Sequence, residues 1–165
     1  MVGPSVSAPF QREHHDHQEC VSSAVEAADE LCTRRRIRLT KLRRRVLELV
    51  WGGHAPIGAY EILDVLRGER RGAAPATVYR ALDFLMENGL VHRIESLNAF
   101  FGCGAPRNTH SGQFLICRAC DMVAEMDDGE IAGVLSRNAA KFGFRVDRQT
   151  VELTGLCPAC AEAVG

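Results

Sequence analysis

Long apolar runs are missing from this sequence. No stretch approaches the roughly 18 uninterrupted apolar residues of a membrane-spanning helix, so neither a transmembrane segment nor a membrane partner is expected. Residues 1–6 carry neither a basic region nor an apolar core, and they are not predicted to be a secretory signal. These absences favour a cytoplasmic location.

The sequence also lacks the cysteine pattern of a disulfide framework. Its seven cysteines are an odd number, and four of them form two CxxC pairs. That pattern favours metal binding in a reducing cytosol over disulfides. Cys20 and Cys32 have no partner at ligand spacing, and Cys32 is predicted to be a core residue.

Net charge is almost absent as well, at −1, but it is unevenly spread. Residues 1–31 hold one Arg against six acidic residues, whereas residues 32–95 hold thirteen Lys and Arg against seven. Eight of those cations lie in Arg34–Arg45, with Arg43 and Arg44 among them. Such clustering is typical of a surface that binds phosphate, such as the backbone of double-stranded DNA.

Residues 1–19 are predicted to form a disordered tail, because they are rich in Pro, Ser and Gln. The tail contains a cluster of three histidines and an aspartate in 14–17. Such a cluster binds metal weakly. We interpret it as solvated and exclude it from the predicted sites.

Residues 20–103 are predicted to form a winged helix-turn-helix domain. Apolar residues at helical spacing, caps and turn residues predict four helices and then two short strands. The segments are Val21–Arg36, a helix capped by Thr40 and ended by Gly52-Gly53, Pro56–Gly68, Val78–Asn88, Leu90–Ile94 and Ala99–Phe101. Helices followed by a two-stranded wing are the pattern of this DNA-binding fold.

The fourth predicted helix is the one expected to enter the major groove. Val78, Leu82 and Leu85 would pack inward, which leaves polar tips near the start of the helix facing out. These tips belong to Thr77, Tyr79 and Arg80. An arginine there can contact phosphate or a guanine edge, and a tyrosine can contact phosphate or a thymine methyl.

A second, smaller domain is predicted over residues 112–165, after a Gly/Pro/Asn linker at 104–111. Its predicted elements are two strands, a helix and a longer strand, at Gln113–Cys117, Met122–Glu125, Asp127–Phe142 and Phe144–Leu153. The fold class is therefore α+β, with a small α/β domain second. So few strands leave open edges, which predicts a homodimer through this domain.

Two CxxC pairs in the second domain predict a closed zinc site. A CxxC lets two thiolates turn onto one ion, and two such pairs supply the four sulfurs of a structural tetrahedral site. Its ligands would be Cys117, Cys120, Cys157 and Cys160.

A second possible ligand set remains around the first CxxC pair. It consists of His92, Cys103, His110 and Glu125. A mixed set of nitrogen, sulfur and oxygen donors suits zinc better than metals that prefer oxygen alone. His92 lies in the predicted wing and Glu125 in the second domain, so one ion would join the two domains. It would thereby set the spacing between the two recognition helices of a dimer. Zinc affinity and DNA affinity would then be linked.

The chain resembles the ferric uptake regulator family. The resemblance covers roughly residues 20–160 and rests on Thr77-Val78-Tyr79-Arg80-Ala81-Leu82-Asp83-Phe84-Leu85, Gly89-Leu90-Val91-His92 and the first CxxC pair. Within the family it is most similar to the zinc uptake regulator branch, by Arg38-Leu39-Thr40, Ala59-Tyr60, Val91–Ser96 and Gly155–Cys160.

The resemblance implies a dimeric, zinc-dependent transcriptional repressor that binds operator DNA and controls zinc uptake genes. It implies two zinc ions per chain, with the four cysteines as structural ligands and His92, Cys103, His110 and Glu125 as regulatory ligands. It also adds Tyr60 to the DNA-contacting residues. The exposed pair Asp64 and Arg67 is a candidate for contacts between neighbouring dimers on DNA.

Three alternatives stay open from the sequence. A regulator of the same family that senses iron, manganese or peroxide is disfavoured by the resemblance. The iron-sensing branch has a His-rich run just before its first CxxC, whereas the corresponding run here, Arg107–Gly112, holds only one histidine. A zinc-binding interaction module is disfavoured by the basic run and by Tyr79 and Arg80. A metalloenzyme is disfavoured because a catalytic zinc keeps a position for water, whereas four protein ligands are present for each ion.

Overall fold

The computed structural model describes residues 5–8, 10, 17–53, 55–69, 72–106 and 112–164. Its elements divide into two compact units, one made of residues 11–107 and the other of residues 1–10 together with 108–165. None of the helices within the described ranges is long and apolar enough to cross a membrane.

The first unit has four helices followed by a two-stranded wing. These elements are α1 His17–Arg35, α2 Lys41–Trp51, α3 Ala59–Glu69, α4 Pro75–Glu87, β2 Val91–Ile94 and β3 Ala99–Gly102. The helices bury residues three or four positions apart, such as Ile62, Leu63 and Leu66 on α3, because that spacing puts side chains on one face. Those faces meet in one apolar core, which also contains Leu90 and Phe100 from the wing.

Local capping explains where the central helices begin and end. Thr40 caps α2 as predicted, because its Oγ1 accepts a hydrogen bond from the Arg43 backbone N–H at 3.3 Å. Gly89 follows α4 with φ +69°, a conformation that favours glycine, and Leu90 N–H donates to the Leu85 carbonyl at 2.9 Å. This closing turn leads the chain directly from α4 into the wing.

Three consecutive arginines join α2 to the other three helices. Arg43 stacks on the Phe84 ring of α4, with 3.5 Å between its Cζ and the ring centroid. Arg44 contacts both carboxylate oxygens of Asp29 on α1, at 2.6 and 2.7 Å. Arg45 forms ion pairs with Glu69 on α3 and with Glu48 on α2 itself. Part of the basic run therefore holds the helices together.

The second unit is a four-stranded sheet with two helices. Its elements are β1 Ser5–Ala8, β4 Gly112–Cys117, β5 Val123–Asp127, α5 Gly129–Ala140, β6 Thr150–Gly155 and α6 Pro158–Val164. The strand order is β1-β5-β4-β6, in which β1 and β4 run antiparallel to β5, and β6 runs parallel to β4. Buried Gln113 exchanges hydrogen bonds with the Asp128 backbone and so holds the start of α5 against the sheet.

The structure departs from the sequence-based expectations in several places. Helix α6, Pro158–Val164, was not expected, and α4 begins at Pro75 instead of Val78. Residues 1–19 were expected to be disordered, but Ser5–Ala8 pair with β5 and His17 begins α1. The last strand was expected from Phe144 and begins only at Thr150. The third helix was expected to open at Pro56-Ile57, but Ile57 instead bridges to Phe100 of the wing before α3 begins.

Candidate functional site

The four CxxC cysteines meet because two parallel strands end side by side. Cys117 is the last residue of β4, and it is paired in register with Gly155, the last residue of β6. Each strand leads into a tight CxxC turn at the same edge of the sheet. The second turn continues into α6, whose first turn carries Cys160.

The geometry of the four thiols fits a tetrahedral zinc ion. Their sulfur atoms all lie within 4.8 Å of one another, and the Cys120 and Cys157 sulfurs are 3.8 Å apart. Thiolates about 2.3 Å from a tetrahedral zinc lie roughly 3.8 Å from each other. The arrangement therefore suits one closed, all-sulfur site with no room for a water ligand.

Hydrogen bonds and neighbouring thiols change the pKa values of the cysteines in this cluster. The Cys157 backbone N–H donates to the Cys117 sulfur at 3.3 Å, and chiefly this bond lowers the pKa of the Cys117 thiol to about 6. The neighbouring thiols, Cys157 first, raise the pKa of the Cys160 thiol to about 12. One thiolate forms easily, whereas a fully ionised cluster needs a positive ion at its centre.

Two of the four predicted regulatory ligands are adjacent on the wing. His92 lies on β2, and Cys103 directly follows β3 with its backbone N–H donating to the Leu90 carbonyl at 3.1 Å. A ring nitrogen of His92 and the sulfur of Cys103 lie within 4.8 Å of each other. Cys103 is buried and His92 half-buried. An imidazole and a thiol at this separation can hold the same ion.

The other two predicted regulatory ligands belong to residues 108–165. Glu125 lies on β5, in register with Phe114, and its side chain is fully buried. A carboxylate in that position needs hydrogen bonds or a cation to compensate for lost hydration. His110 lies outside the described residues, as do most of the linker 104–111 and the histidines at positions 14 and 15.

The predicted recognition helix presents its polar residues as expected. On α4, Val78 and Leu82 are buried, whereas Tyr79 and Arg80 are exposed and Thr77 is half-buried. Arg80 Nε donates to the Ala76 carbonyl at 3.2 Å, so its guanidinium lies along the first turns of the helix. Tyr60, at the start of α3, is 65% exposed.

Sequence reasoning missed the helix-joining contacts of Arg43 and Arg44. Nothing in a basic run distinguishes cations that face acids or rings on other helices from cations that face solvent, because those partners are distant in the sequence. The exposed cations at the junction of α1 and α2 are Arg34, Arg35, Arg36, Arg38 and Lys41. They all come from the first part of the basic run, before Arg43.

A winged helix-turn-helix unit together with a sheet unit built on four cysteines defines a class, the metal-binding DNA regulators. The family model described as the ferric uptake regulator family matches residues 34–154. The chain belongs to the ferric uptake regulator family. It is thus a transcriptional regulator and not an enzyme.

Within this family, the chain is similar to zinc uptake regulators. The zinc uptake regulation protein of Escherichia coli (strain K12) is 40% identical over 136 residues, which cover 82% of this chain and 80% of that protein. A solved zinc uptake regulator in complex with zinc and DNA matches with a TM-score of 0.82 at 38% identity, covering 92% of this chain and 99% of the other. The crystal structure of holo XcZur matches with a TM-score of 0.79 at 45% identity, covering 85% and 98%.

Proposed function

We propose that this protein is a zinc-responsive transcriptional repressor that binds operator DNA and controls zinc uptake genes. The observation that carries the proposal is the donor set on the wing. His92 and Cys103 place a nitrogen and a sulfur ligand within reach of one ion, in the unit that also holds the recognition helix. Similarity to zinc uptake regulators supports zinc as the sensed metal. A repressor acts where operator DNA is, so we place the protein in the cytoplasm.

Two zinc ions per chain have different roles in this proposal. The four-cysteine cluster holds the structural ion, because it is closed and lies wholly within one unit. The regulatory ion is bound by His92, Cys103, His110 and Glu125. Since the ligands come from both units of the chain, only this ion is able to report zinc to the DNA-reading helix.

The test is a metal titration against operator binding. Protein with its structural zinc in place is titrated with Zn²⁺, Fe²⁺ or Mn²⁺, and fluorescence anisotropy of a labelled operator is followed at fixed salt. The operator is first selected from random DNA with zinc-loaded protein. We expect Zn²⁺ alone to raise operator affinity, by about 5- to 150-fold. A response to Fe²⁺ or Mn²⁺ without a response to Zn²⁺ would make that metal the signal, and an equal response to all three would contradict the proposed selectivity for zinc.

DNA recognition is proposed to come from exposed and half-buried residues of α3 and α4. Tyr79, Arg80 and Thr77 would lie at the major groove, with Tyr60 on the adjacent backbone. Arg43 and Arg44 are proposed phosphate contacts that also hold α2 in place, because a guanidinium has donors left after one ion pair or stack. The exposed arginines at the start of the basic run extend the same positive surface.

Arg80→Ala is expected to weaken operator binding by about 5- to 150-fold, which corresponds to 1–3 kcal/mol. Anisotropy titrations at several salt concentrations give both the affinity and its salt slope. A phosphate contact lowers the slope by about one, and a guanine contact relaxes the base preference at one position. Arg148→Ala removes an exposed arginine from the other unit and should bind as the wild type does. Wild-type affinity of the Arg80 variant would exclude this contact.

The homodimer is proposed to form through the second unit. No side chain of α5 is buried, and Val134 and Leu135 are 45% and 43% exposed. Phe142 and Phe144, just beyond the helix, are also exposed, as is Leu153 on the edge strand β6. β1 is the strand at the other edge of the sheet. A second copy of the same surface would bury these apolar residues by a self-complementary contact.

Contacts between neighbouring dimers on DNA are proposed at α3. Asp64 and Arg67 face solvent three residues apart, with 3.7 Å between the carboxylate and the guanidinium. So exposed a pair is weak within one chain and can exchange partners with an identical pair. In the operator titration, the mass of the complex distinguishes two chains per operator from four.

A further inference from the structure

The indole of Trp51 lies against the backbone of Gly102 at a distance that only glycine permits. Trp51 is the last residue of α2, and Gly102 is the last residue of β3. A Cβ atom on Gly102 would lie 2.3 Å from Trp51 Cε2 and 2.4 Å from Nε1. Real Cβ contacts essentially never fall below 3.0 Å. A glycine inside a strand commonly marks such a close approach.

This contact is one residue away from the Cys103 thiol. Gly102 is paired with Val91 of β2 on one side, and Cys103 N–H donates to the Leu90 carbonyl at 3.1 Å. The end of β3 is therefore held by β2 through hydrogen bonds and by the indole through packing. Both constraints act on the backbone that carries Cys103, two residues beyond Phe101, which is paired with His92.

We propose that Trp51 and Gly102 are positioning residues for the regulatory metal ion. The Trp51 indole packs directly against the Gly102 backbone. It thereby holds the end of β3 in the position where the Cys103 sulfur and a His92 nitrogen reach the same ion. The inference rests on the proposed function, since it takes Cys103 as a regulatory ligand. The same helix carries Arg43, which stacks on Phe84 of α4, so the contact also joins the ligand to the helix that supports the recognition helix.

The expected effect is on the affinity of the regulatory site and on its sulfur coordination. In Trp51→Ala the end of β3 loses its support, and in Gly102→Ala the new methyl group displaces the indole or the strand. Each variant is expected to bind the regulatory metal on the order of tenfold more weakly, as for other residues that orient metal ligands. The double variant should lose less than the product of the two single losses, because removal of the indole makes room for the methyl group.

Cobalt is the probe. Protein that keeps zinc in its four-cysteine centre is titrated with Co²⁺, and the thiolate-to-cobalt charge-transfer absorption reports the Cys103 bond directly. Weaker and less intense charge-transfer absorption in both single variants is expected. Leu49→Ala is the matched control, since it removes apolar packing from the same helix without touching Gly102, and it should bind Co²⁺ as the wild type does. Circular dichroism confirms that each variant is folded.

Cys103→Ser distinguishes a failure of the proposed regulatory site from a failure of the positioning role. If the wild type shows no thiolate band, or Cys103→Ser retains it, the proposed regulatory site is wrong. If Cys103→Ser loses the band while folded Trp51→Ala and Gly102→Ala match the wild type in affinity and intensity, the positioning role is wrong. Equal loss in Leu49→Ala would also overturn it, because the effect would then be one of general stability.

Discussion

A Cys103→Ser variant will keep one zinc ion per chain and will lose zinc-dependent operator binding. Serine replaces a thiolate with a hydroxyl that stays protonated and binds zinc poorly, so the regulatory ion loses a principal ligand. Altered supporting residues alone cost 10- to 100-fold in metal affinity, and we expect a lost ligand to cost at least about 100-fold. The roughly 5- to 150-fold increase in operator affinity on adding zinc should therefore vanish at ordinary zinc concentrations.

Zinc stoichiometry and operator anisotropy measure the two parts of this result separately. Elemental analysis should find one ion per chain, and the sedimentation coefficient should be that of the wild-type dimer. Cys20→Ser is the matched control, because it makes the same chemical change on α1, outside both ligand sets. A Cys103 variant that still gained operator affinity with zinc would show that the sensing site lies elsewhere.

A Cys157→Ser variant is expected to lose the fold of the second unit. Cys157 is buried and carries one of the four sulfurs of the cluster, so the change removes a ligand of the structural ion. Structural zinc contributes about 10–16 kcal/mol of apparent binding free energy in small zinc domains. Small domains have a total stability of only about 5–15 kcal/mol. Loss of the ion should therefore unfold β4, β5 and β6 and abolish dimerisation.

The single tryptophan makes this unfolding separable from a collapse of the whole chain. Trp51 belongs to the winged-helix unit, so its emission should remain native while hydrogen exchange in β4 to β6 rises to unprotected rates. Sedimentation should report a monomer. Persistence of slow exchange in the strands after loss of the zinc would show that the sheet folds without its metal.

The two cysteine variants thus predict opposite phenotypes from the same chemical change. Cys103→Ser should give a folded dimer whose operator binding does not respond to zinc, whereas Cys157→Ser should give a monomer with one unfolded unit. The difference follows from placement. The Cys157 cluster lies wholly within one unit, and Cys103 lies at the end of the wing, in the unit that also holds α4, the proposed recognition helix.

Sequence patterns predicted most elements where the signal is local. The Thr40 cap, the Gly52 and Gly89 helix ends and the wing turn at 96–98 all occur as expected, because each depends on residues within a few positions. The strand β1 was missed, because four residues without turn signals become a strand only by pairing with β5, more than 100 residues away. The early start assigned to β6 reflects apolar residues that are exposed instead, including Phe144.

Local patterns also failed to divide the basic run by role. Arg43, Arg44 and Arg45 look alike in the sequence, and each contacts a different helix. The close contact between Trp51 and Gly102 was equally invisible, because its two residues are 51 positions apart. Such pairings depend on which helix faces come together.

By itself, the sequence determined the chemistry of this protein. Two CxxC spacings specify thiolate pairs, and residue types such as His92 and Cys103 favour zinc over metals that prefer oxygen ligands alone, because donor softness is a property of the side chain. The tertiary structure decided which donors share an ion. The parallel register of β4 and β6 places the two CxxC turns at one sheet edge, and the pairing of β2 with β3 brings a thiol to an imidazole. Ligand geometry is set by contacts between distant residues, and no local pattern encodes them.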